Sequence, residues 1–275
     1  MNAIGAILNR NLVNFIRNKG RLLGTLFMSF FFLFIFSFIM NSSMGSSLAQ
    51  PMNYLISGII IMTVFQSSLN NSTDILSDIS SGFMKEILVA PIPRWQISIG
   101  QVLSSSVIAI AQGIIVIIVS LFMGLQIDPL HFIEMIGIMA VAGLTFGSIG
   151  LFLATIARNS AAFQIMTSIV VMPFTFLSGA YIPTTIMPSF LRPLIYINPL
   201  TYITSIFRYI TLRMENMSAI ELVKEGVAYD IHGFIITPQV GFLFIILIGL
   251  IFFWLCVNKF NKADFSNVKV FKHNH

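Results

Sequence analysis

The chain has 275 residues, of which 56% are hydrophobic and only 9% are charged, and 27 of them are phenylalanine. Because soluble proteins carry roughly 25% charged residues, this composition excludes a soluble domain. Apolar runs long enough to cross roughly 30 Å of hydrocarbon recur along the chain and predict a polytopic helical membrane protein. Continuous apolar runs also argue against a β-barrel, whose strands alternate apolar and polar residues.

The first segment, residues 1–21, has an amphipathic helical pattern rather than a continuous apolar run. Apolar residues such as Leu8 and Phe15 fall on one side at 100° per residue, and Arg10 and Arg17 fall on the other. The pattern predicts an interfacial helix that lies in the plane of the membrane surface, with its arginines toward the phosphate headgroups.

Six apolar runs follow and predict an all-α polytopic membrane protein with six transmembrane helices. Their approximate bounds are 22–40, 52–70, 97–125, 131–157, 161–180 and 238–257. The first run is too long for the apolar part of a cleaved signal peptide, so we expect a retained span. We expect the chain, residues 1–275, to form a single transmembrane domain.

Lys and Arg residues mark one side of this predicted topology. The terminal segments and the connections after spans 2 and 4 hold Arg10, Arg17, Lys19, Arg21, Lys85, Arg94, Arg158, Lys259, Lys262, Lys269 and Lys272. On the other side, the two short loops have none, and the long 181–237 connection has Arg192, Arg208, Arg213 and Lys224. We therefore expect a multi-pass protein of the plasma membrane with both termini in the cytoplasm. The net charge of +5 is a topology signal, and we expect no nucleic-acid partner.

The 181–237 connection begins as an apolar, aromatic stretch that is dense in proline. These prolines are Pro183, Pro188, Pro193 and Pro199. Prolines at this density prevent one continuous helix, and the apolar content favours short re-entrant helices in the outer leaflet that other parts of the protein bury. Further on, Ser218 and Glu221 have capping-box spacing and predict one helix on the outer face.

Signatures of nucleotide binding and catalysis are absent from the sequence, which has no G-x-x-x-x-G-K-[ST], no H-E-x-x-H and no G-x-S-x-G. We expect no catalytic residue, metal or cofactor in this chain. The near absence of charge within the spans argues against an ion-coupled carrier. Amides and hydroxyls in the spans suit helix–helix hydrogen bonds or, alternatively, contact with a substrate. The candidate substrate-pathway residues are Gln66, Asn70, Gln112, Gln164 and Thr167.

The connection between spans 2 and 3 predicts a short helix over residues 83–90, which begins after Gly82 and ends at Pro91. One face of this helix is apolar, and charged residues lie at its edges. An apolar knob of this kind suits insertion into a groove of another protein; the alternative is an interfacial helix resting on lipid. The candidate contact residues are Phe83, Met84, Lys85, Glu86, Ile87, Leu88, Pro91 and Arg94.

Two segments resemble signatures of the type-2 ABC export permeases, a family that includes the membrane subunits of daunorubicin-type drug exporters and of nodulation-factor, O-antigen and teichoic-acid exporters. GFMKEILVAPIPRWQISIGQVL, which begins at Gly82, is similar to the family's cytoplasmic coupling segment. FLSGAYIPTTIMPSFLRPLIYINPLTY, which begins at Phe176, is similar to the end of the family's span 5. The signature positions are Phe176, Leu177, Ser178, Gly179, Pro183, Asn198, Pro199, Leu200 and Thr201.

This resemblance implies a complex of two permease subunits, a homodimer or a heterodimer, with two separate ABC ATPase subunits that bind ATP and Mg²⁺. The helix at 83–90 would be the cytoplasmic coupling helix that contacts the ATPase, and the N-terminal helix would be the family's connecting helix. The implied function is export of a hydrophobic or amphipathic substrate, such as a drug, a polyketide or a lipid-like molecule. Two alternatives remain open: a permease for lipid-linked polysaccharides, and a non-transporting membrane subunit of an ATPase-linked sensor. A membrane-embedded enzyme would need acids or histidines clustered at one depth, and the spans show none.

Overall fold

The computed structural model describes residues 3–39, 51–80, 92–123, 125, 127–157, 159–231 and 233–262, and most of them are helical. In chain order, the α-helices are α1 (Ala3–Arg17), α2 (Lys19–Ile39), α3 (Pro51–Asn70), α4 (Thr73–Ser80), α5 (Arg94–Phe122), α6 (Pro129–Ile156), α7 (Ser160–Leu177), α8 (Arg192–Ile197), α9 (Pro199–Thr211), α10 (Ala219–Lys224) and α11 (Pro238–Lys262). The 3₁₀ helices Thr184–Ile186 and Ser189–Leu191 lie between α7 and α8.

Five helical segments of the described chain are long and apolar enough to cross a membrane. They are Met52–Asp78, Arg94–Phe122, Pro129–Ile156, Ser160–Leu177 and Pro238–Lys259. These segments overlap the second to sixth predicted spans and confirm a helical, multi-span membrane protein. The first predicted span corresponds to α2, in which the described apolar part is Leu22–Ile35. The total of six spans therefore stays a prediction.

A small β-hairpin, which the sequence pattern does not predict, precedes α11. Its strands are β1 (Tyr229–Ile231) and β2 (Phe234–Ile236), and they pair antiparallel with Tyr229 opposite Ile236. The turn includes Gly233, whose φ of 88° lies in the left-handed region that glycine adopts without steric cost. The all-α description is therefore incomplete in the 181–237 region.

Prolines and asparagines define where several helices begin. α6 begins at Pro129 directly after Asp128, and α9 begins at Pro199 directly after Asn198. The first position of a helix tolerates proline because its missing N–H would have no partner in the helix. The Asn198 side chain also accepts a hydrogen bond from the Leu200 N–H at 3.0 Å, which caps α9. Prolines thus begin both the long helix α6 and the shorter helix α9.

The core is built around α3, which packs against α2, α5, α6 and α9. Leu55, Ile60 and Phe65 on α3 are fully buried, and the rings of Phe65 and Phe146 meet edge to face at 4.6 Å between centroids. α7 and α11 lie at the periphery, with side chains such as Ile169 and Leu243 67% exposed. Exposed apolar side chains on membrane-spanning helices face lipid or another subunit.

The bundle has two ends, which we name from the elements they hold. The α1 end holds α1, α4, the start of α5 and the end of α11, and Cys256 is buried there in a cluster with Ile75 and Ile97. The hairpin end holds α8, α9, α10 and the β-hairpin. At that end Phe32 of α2 stacks on Tyr181, with 5.3 Å between ring centroids.

Candidate functional site

A polar groove of about 640 Å³ runs between the α1–α2 junction at Asn18, the α3–α4 segment and α7. Its walls are lined mainly by amides and hydroxyls, and Val171 and Met172 lie at its apolar edge. Among the described residues, Asp74 is the one charged lining residue. The polar lining residues are Asn18, Gln66, Asn70, Thr73, Asp74, Ser77, Gln164, Thr167 and Ser168. A groove with a polar wall and an apolar edge can bind an amphipathic molecule.

The hydroxyl of Thr167 distinguishes this groove from an ordinary packing gap. The side chain is 5% exposed, lines the groove, and its Oγ1 has no hydrogen-bond partner within the described residues. Buried polar groups in proteins nearly always have a partner. Thr167 is therefore a hydrogen-bonding group that a molecule in the groove could satisfy.

A second, shallower cavity of about 680 Å³ adjoins the polar groove along α7. Gln164, Ser168 and Met172 line both cavities, and Ile165 and Ile169 line only the shallow one. The polar groove is thus continuous with an apolar surface of the membrane-spanning helix.

The structure brings four of the five candidate substrate-pathway residues together in this groove: Gln66, Asn70, Gln164 and Thr167. Gln112 does not join them, because it is buried on α5 at 1% exposure and does not line the groove. Its Oε1 has no partner among the described residues. Whether Gln112 contacts a substrate stays a prediction, because a polar residue in an apolar run does not show which helix face it occupies.

At the α1 end, a polar network ties the N-terminal helix to two other helices. Arg10 forms an ion pair with Asp78 of α4 and donates a hydrogen bond to the Asn11 side chain at 3.1 Å. Asn11 in turn donates to Gln101 at 2.8 Å and to Ser104 at 3.1 Å on α5. These contacts fix α1 to the helices that flank the 81–91 segment.

This network changes the interpretation of α1. The predicted helix is confirmed, but its most buried residues are Asn11 and Phe15, and the apolar side chain of Ile16 is 65% exposed. The buried line of α1 is therefore defined by its packing against α5 rather than by hydrophobicity alone.

The candidate coupling segment lies largely outside the described residues. Those positions are Phe83, Met84, Lys85, Glu86, Ile87, Leu88 and Pro91. Arg94 is described and is the first residue of α5, directly after Pro93. The contact of this segment with an ATPase stays a prediction.

At the hairpin end, the second signature forms a tight turn between α7 and the short helices. Ser178 donates to the Thr175 carbonyl at 2.9 Å and accepts from the Ala180 N–H at 3.1 Å. Gly179 has a φ of 79°, and Asn198 donates to the Phe174 carbonyl at 2.9 Å. The signature residues Ser178, Gly179 and Asn198 therefore stabilise the turn that follows α7.

The other signature residues have different surroundings. Phe176 is 60% exposed on α7, so it faces outward. Pro183 precedes the first 3₁₀ helix, and Pro199 begins α9.

A buried arginine, which the sequence interpretation counted only as a charge of the outer connection, holds this end together. Arg208 of α9 is 1% exposed, and its Nη2 donates to the carbonyls of Tyr54, Gly179 and Ala180 at 3.3, 3.1 and 3.3 Å. Its Nε donates to Ser57 Oγ at 3.4 Å. Within the described residues, no carboxylate pairs with it.

The signal that could have identified Arg208 is its sequence context. A charged residue within an apolar stretch of a membrane protein is costly, and it therefore marks a specific partner or role. Arg208 stands in such a stretch, NPLTYITSIFRYI. The sequence does not show that its partners are carbonyls on two distant segments.

Helices long enough to cross a membrane, with a polar groove opening beside a peripheral helix, define an integral membrane protein of the multi-span helical class. The chain belongs to the ABC-2 type transporter family, whose profile matches residues 2–212. This match confirms the family that the two sequence signatures indicate.

Individual relatives are named as permeases. The putative transport permease ycf38 of Cyanophora paradoxa is 26% identical over 70% of this chain and 69% of its own length. The inner membrane transport permease YadH of Escherichia coli K12 is 27% identical over 58% of this chain and 62% of its own length. The probable multidrug ABC transporter permease YbhR of the same organism is 26% identical over 56% of this chain and 42% of its own length.

Proposed function

We propose that this chain is the membrane-spanning permease subunit of an ATP-binding-cassette exporter, and that it moves a hydrophobic or amphipathic substrate such as a drug, a polyketide or a lipid-like molecule. The observation that carries the proposal is the polar groove beside α7 in a member of the ABC-2 type transporter family. Family membership supports the transport function, and the groove supports the substrate class.

The lining of the groove matches an amphipathic molecule. Gln66 and Gln164 would hydrogen-bond the polar end of the substrate together with Thr167, while Met172 and the apolar strip of α7 would contact its apolar body. Ligand sites of this kind combine an apolar lining with a few polar groups that orient the ligand. YbhR is named as a probable multidrug permease, which is consistent with a drug-like substrate here.

We assign ATP hydrolysis to a separate ABC ATPase subunit, which would bind ATP and Mg²⁺. The network of Arg10, Asn11 and Asp78 supports a mechanical link between the ATPase and the bundle. Asp78 lies just before the 81–91 segment, and Asn11 is bound to α5 directly after it. A force applied to the segment would therefore act on α1, α4 and α5 together.

A second copy of the chain would cover α7 and close the groove. Apolar side chains on α7 form one outward stripe at helical spacing, and they are more than half exposed. These residues are Ile165, Ile169, Met172 and Phe176. A contiguous exposed apolar stripe is typical of an association surface, so we propose a homodimer that packs through this side.

The proposed topology has six spans, with α2 as the first, and both termini in the cytoplasm. The Lys and Arg distribution supports this orientation, which places the α1 end in the cytoplasm and the hairpin end outside. The substrate would then enter the groove from the cytoplasm or the inner leaflet.

The proposal is tested by reconstituting the chain with its ATPase partner in vesicles and by measuring ATP-dependent transport of candidate substrates. Gln164→Leu should reduce transport by raising the substrate KM, because it removes an amide from the groove. Gln112→Leu is the matched control, since it removes a buried amide outside the groove.

Each outcome has a defined meaning for the proposal. Transport of amphipathic drugs that weakens in Gln164→Leu alone supports the substrate assignment. ATPase stimulation by polyprenyl-linked glycans alone would replace it with polysaccharide export. An ATPase-associated chain that transports none of these substrates would favour the sensor subunit.

A further inference from the structure

A second groove lies between α5, α6 and α11, and it has a volume of about 310 Å³. Its walls are formed by Val102 and Leu103 of α5, Val141 of α6, and Ile246 and Leu250 of α11. None of these three helices lines the polar groove. The two grooves are therefore separate features of the fold.

The floor of this second groove offers only hydrocarbon to an occupant. Thr145 and Ser148 of α6 lie there and are each 2% exposed. Their hydroxyls donate to backbone carbonyls, Thr145 to Ile245 at 3.4 Å and Ser148 to Leu144 at 2.7 Å. An apolar cavity without available polar groups does not hold water.

The shape of the groove suits a linear hydrocarbon chain. Val141 and Ser148, at its ends on α6, are separated by about 10 Å along the helix axis. An apolar groove of about 310 Å³ that follows the helices in this way can hold part of an acyl chain.

The depth of the groove places it in the leaflet next to the α1 end. Ile99 lines the groove and lies about 7.5 Å from Arg94, the first residue of α5. On α11, Phe253 lines the groove and lies about 9 Å before the exposed Lys259. Arg94 and Lys259 thus lie beyond the end of the groove where a lipid headgroup would lie. Their positive charge favours an anionic headgroup.

The two tryptophans of the chain flank this end of the groove. Trp95 lies one turn before Ile99 and is 46% exposed, and Trp254 follows Phe253 and is 62% exposed. Exposed tryptophans at the end of a membrane helix mark the level of the headgroups. They also supply fluorescent reporters next to the groove.

We propose that the groove between α5, α6 and α11 is a lipid-binding site for an anionic phospholipid. One acyl chain lies between Leu103, Val141 and Leu250, and the phosphate lies at the level of Trp95. The site shares no lining residue with the polar groove.

The experiment measures quenching of tryptophan fluorescence by lipid. The full chain is reconstituted in phosphatidylcholine that contains increasing fractions of phosphatidylglycerol with one brominated acyl chain. In the Leu103→Phe variant a larger side chain on α5 fills the groove, and in Val141→Phe a larger side chain on α6 fills it. Leu121→Phe is the matched control, because Leu121 is 47% exposed on the same helix outside the groove. The Trp254→Phe substitution is present in every chain measured, so that the fluorescence comes from Trp95.

We expect quenching of Trp95 to saturate at a low fraction of brominated phosphatidylglycerol, with roughly fivefold weaker binding of brominated phosphatidylcholine. Leu103→Phe or Val141→Phe should convert the curve to a linear dependence on lipid fraction, and Leu121→Phe should leave it saturating. A linear curve for the unmodified chain would overturn the proposal. Equal quenching curves for the unmodified chain and for Leu103→Phe would also overturn it. So would the absence of Trp95 quenching at every lipid fraction, because a second copy or another protein would then cover the groove.

Discussion

The guanidinium carbon of Arg208 lies 3.4 Å from the centroid of the Tyr54 ring. The same side chain donates a hydrogen bond to the Tyr54 carbonyl. The start of α3, at the hairpin end, is thereby tied to α9 across 154 positions of sequence. Because Arg208 also binds the carbonyls of Gly179 and Ala180, one residue joins α3, the turn after α7 and the short helix α9.

Replacing Arg208 should destabilise the hairpin end strongly. Arg208→Met leaves buried carbonyls without donors, and we expect a loss of about 3 kcal/mol in the free energy of unfolding. Arg208→Lys should lose less, since it retains a charge and can bind some of the carbonyls. The thermal unfolding midpoint of the purified protein measures both. Arg192→Met, at an exposed arginine of the same end, is the control, and equal midpoints for Arg208→Met and Arg192→Met would contradict the assignment.

The packing of α3 against the turn after α7 leaves no room for a methyl group at Gly58. A Cβ there would lie 2.0 Å from the Ala180 carbonyl oxygen, so the turn must move, at a cost of roughly 1–3 kcal/mol. Gly58→Ala should therefore lower the thermal midpoint. Gly24→Ala on α2, where a Cβ meets nothing within 4 Å, should leave it unchanged or raise it. An unchanged midpoint in Gly58→Ala would show that α3 and the turn are not in close contact.

The ion pair between Arg10 and Asp78 should stabilise the attachment of α1. Its side chains are only 25% and 16% exposed, and we expect a coupling free energy of about 1 kcal/mol in a double-mutant cycle of Arg10→Leu and Asp78→Leu. Protease sensitivity of the N-terminal segment and the thermal midpoint both report on it. Additive effects of the two substitutions would mean that the pair contributes nothing.

Thr167 and Thr175 provide a matched pair on α7. Both hydroxyls are buried and have no partner within the described residues, but only Thr167 lines the polar groove. Thr167→Val should weaken substrate binding about fivefold, as expected for one lost hydrogen bond, while Thr175→Val should not. Binding measured by substrate-dependent ATPase stimulation tests this difference. The same affinity in both variants would remove Thr167 from the binding site.

The cap of α10 predicts a pH dependence. The Ser218 N–H and hydroxyl both donate to the Glu221 carboxylate, at 2.7 and 2.8 Å, and these hydrogen bonds hold the pKa of Glu221 below its usual range. A lowered folded-state pKa means that the stabilisation is present above the unfolded-state pKa and is lost as the pH falls through the folded-state value. Amide exchange over 219–224, relative to intrinsic rates, should therefore increase as the pH falls from about 4.5. Glu221→Gln should remove this dependence, and a persistent dependence in that variant would assign it to another group.

Much of the architecture followed from local signals in the sequence. The long apolar runs predicted the membrane-spanning helices, and the capping-box spacing predicted α10, which the structure confirms with both reciprocal hydrogen bonds. These features are readable because hydrophobicity, proline and capping residues act over a few neighbouring positions. The family signatures were also local, and the match to the ABC-2 type transporter family confirms the family that they indicate.

The candidate site was only partly predictable. The sequence contained the amides and hydroxyls, but it could not assign Gln112 to the core and Gln66 to the groove, because both stand in apolar runs. Asn11 was not singled out, since a polar residue on an interfacial helix is normally solvated. Its burial depends on Gln101 and Ser104 of α5.

The sequence by itself determined the class of protein, the position of most helices and the family, because apolar length, helix caps and contiguous signatures are properties of neighbouring residues. Only the tertiary structure decided which polar residues share a groove and that Arg208 binds carbonyls of two distant segments. It also decided that α5, α6 and α11 leave an apolar groove between them. These relationships depend on how helices rotate and approach one another. That geometry is fixed by packing between residues far apart in the chain.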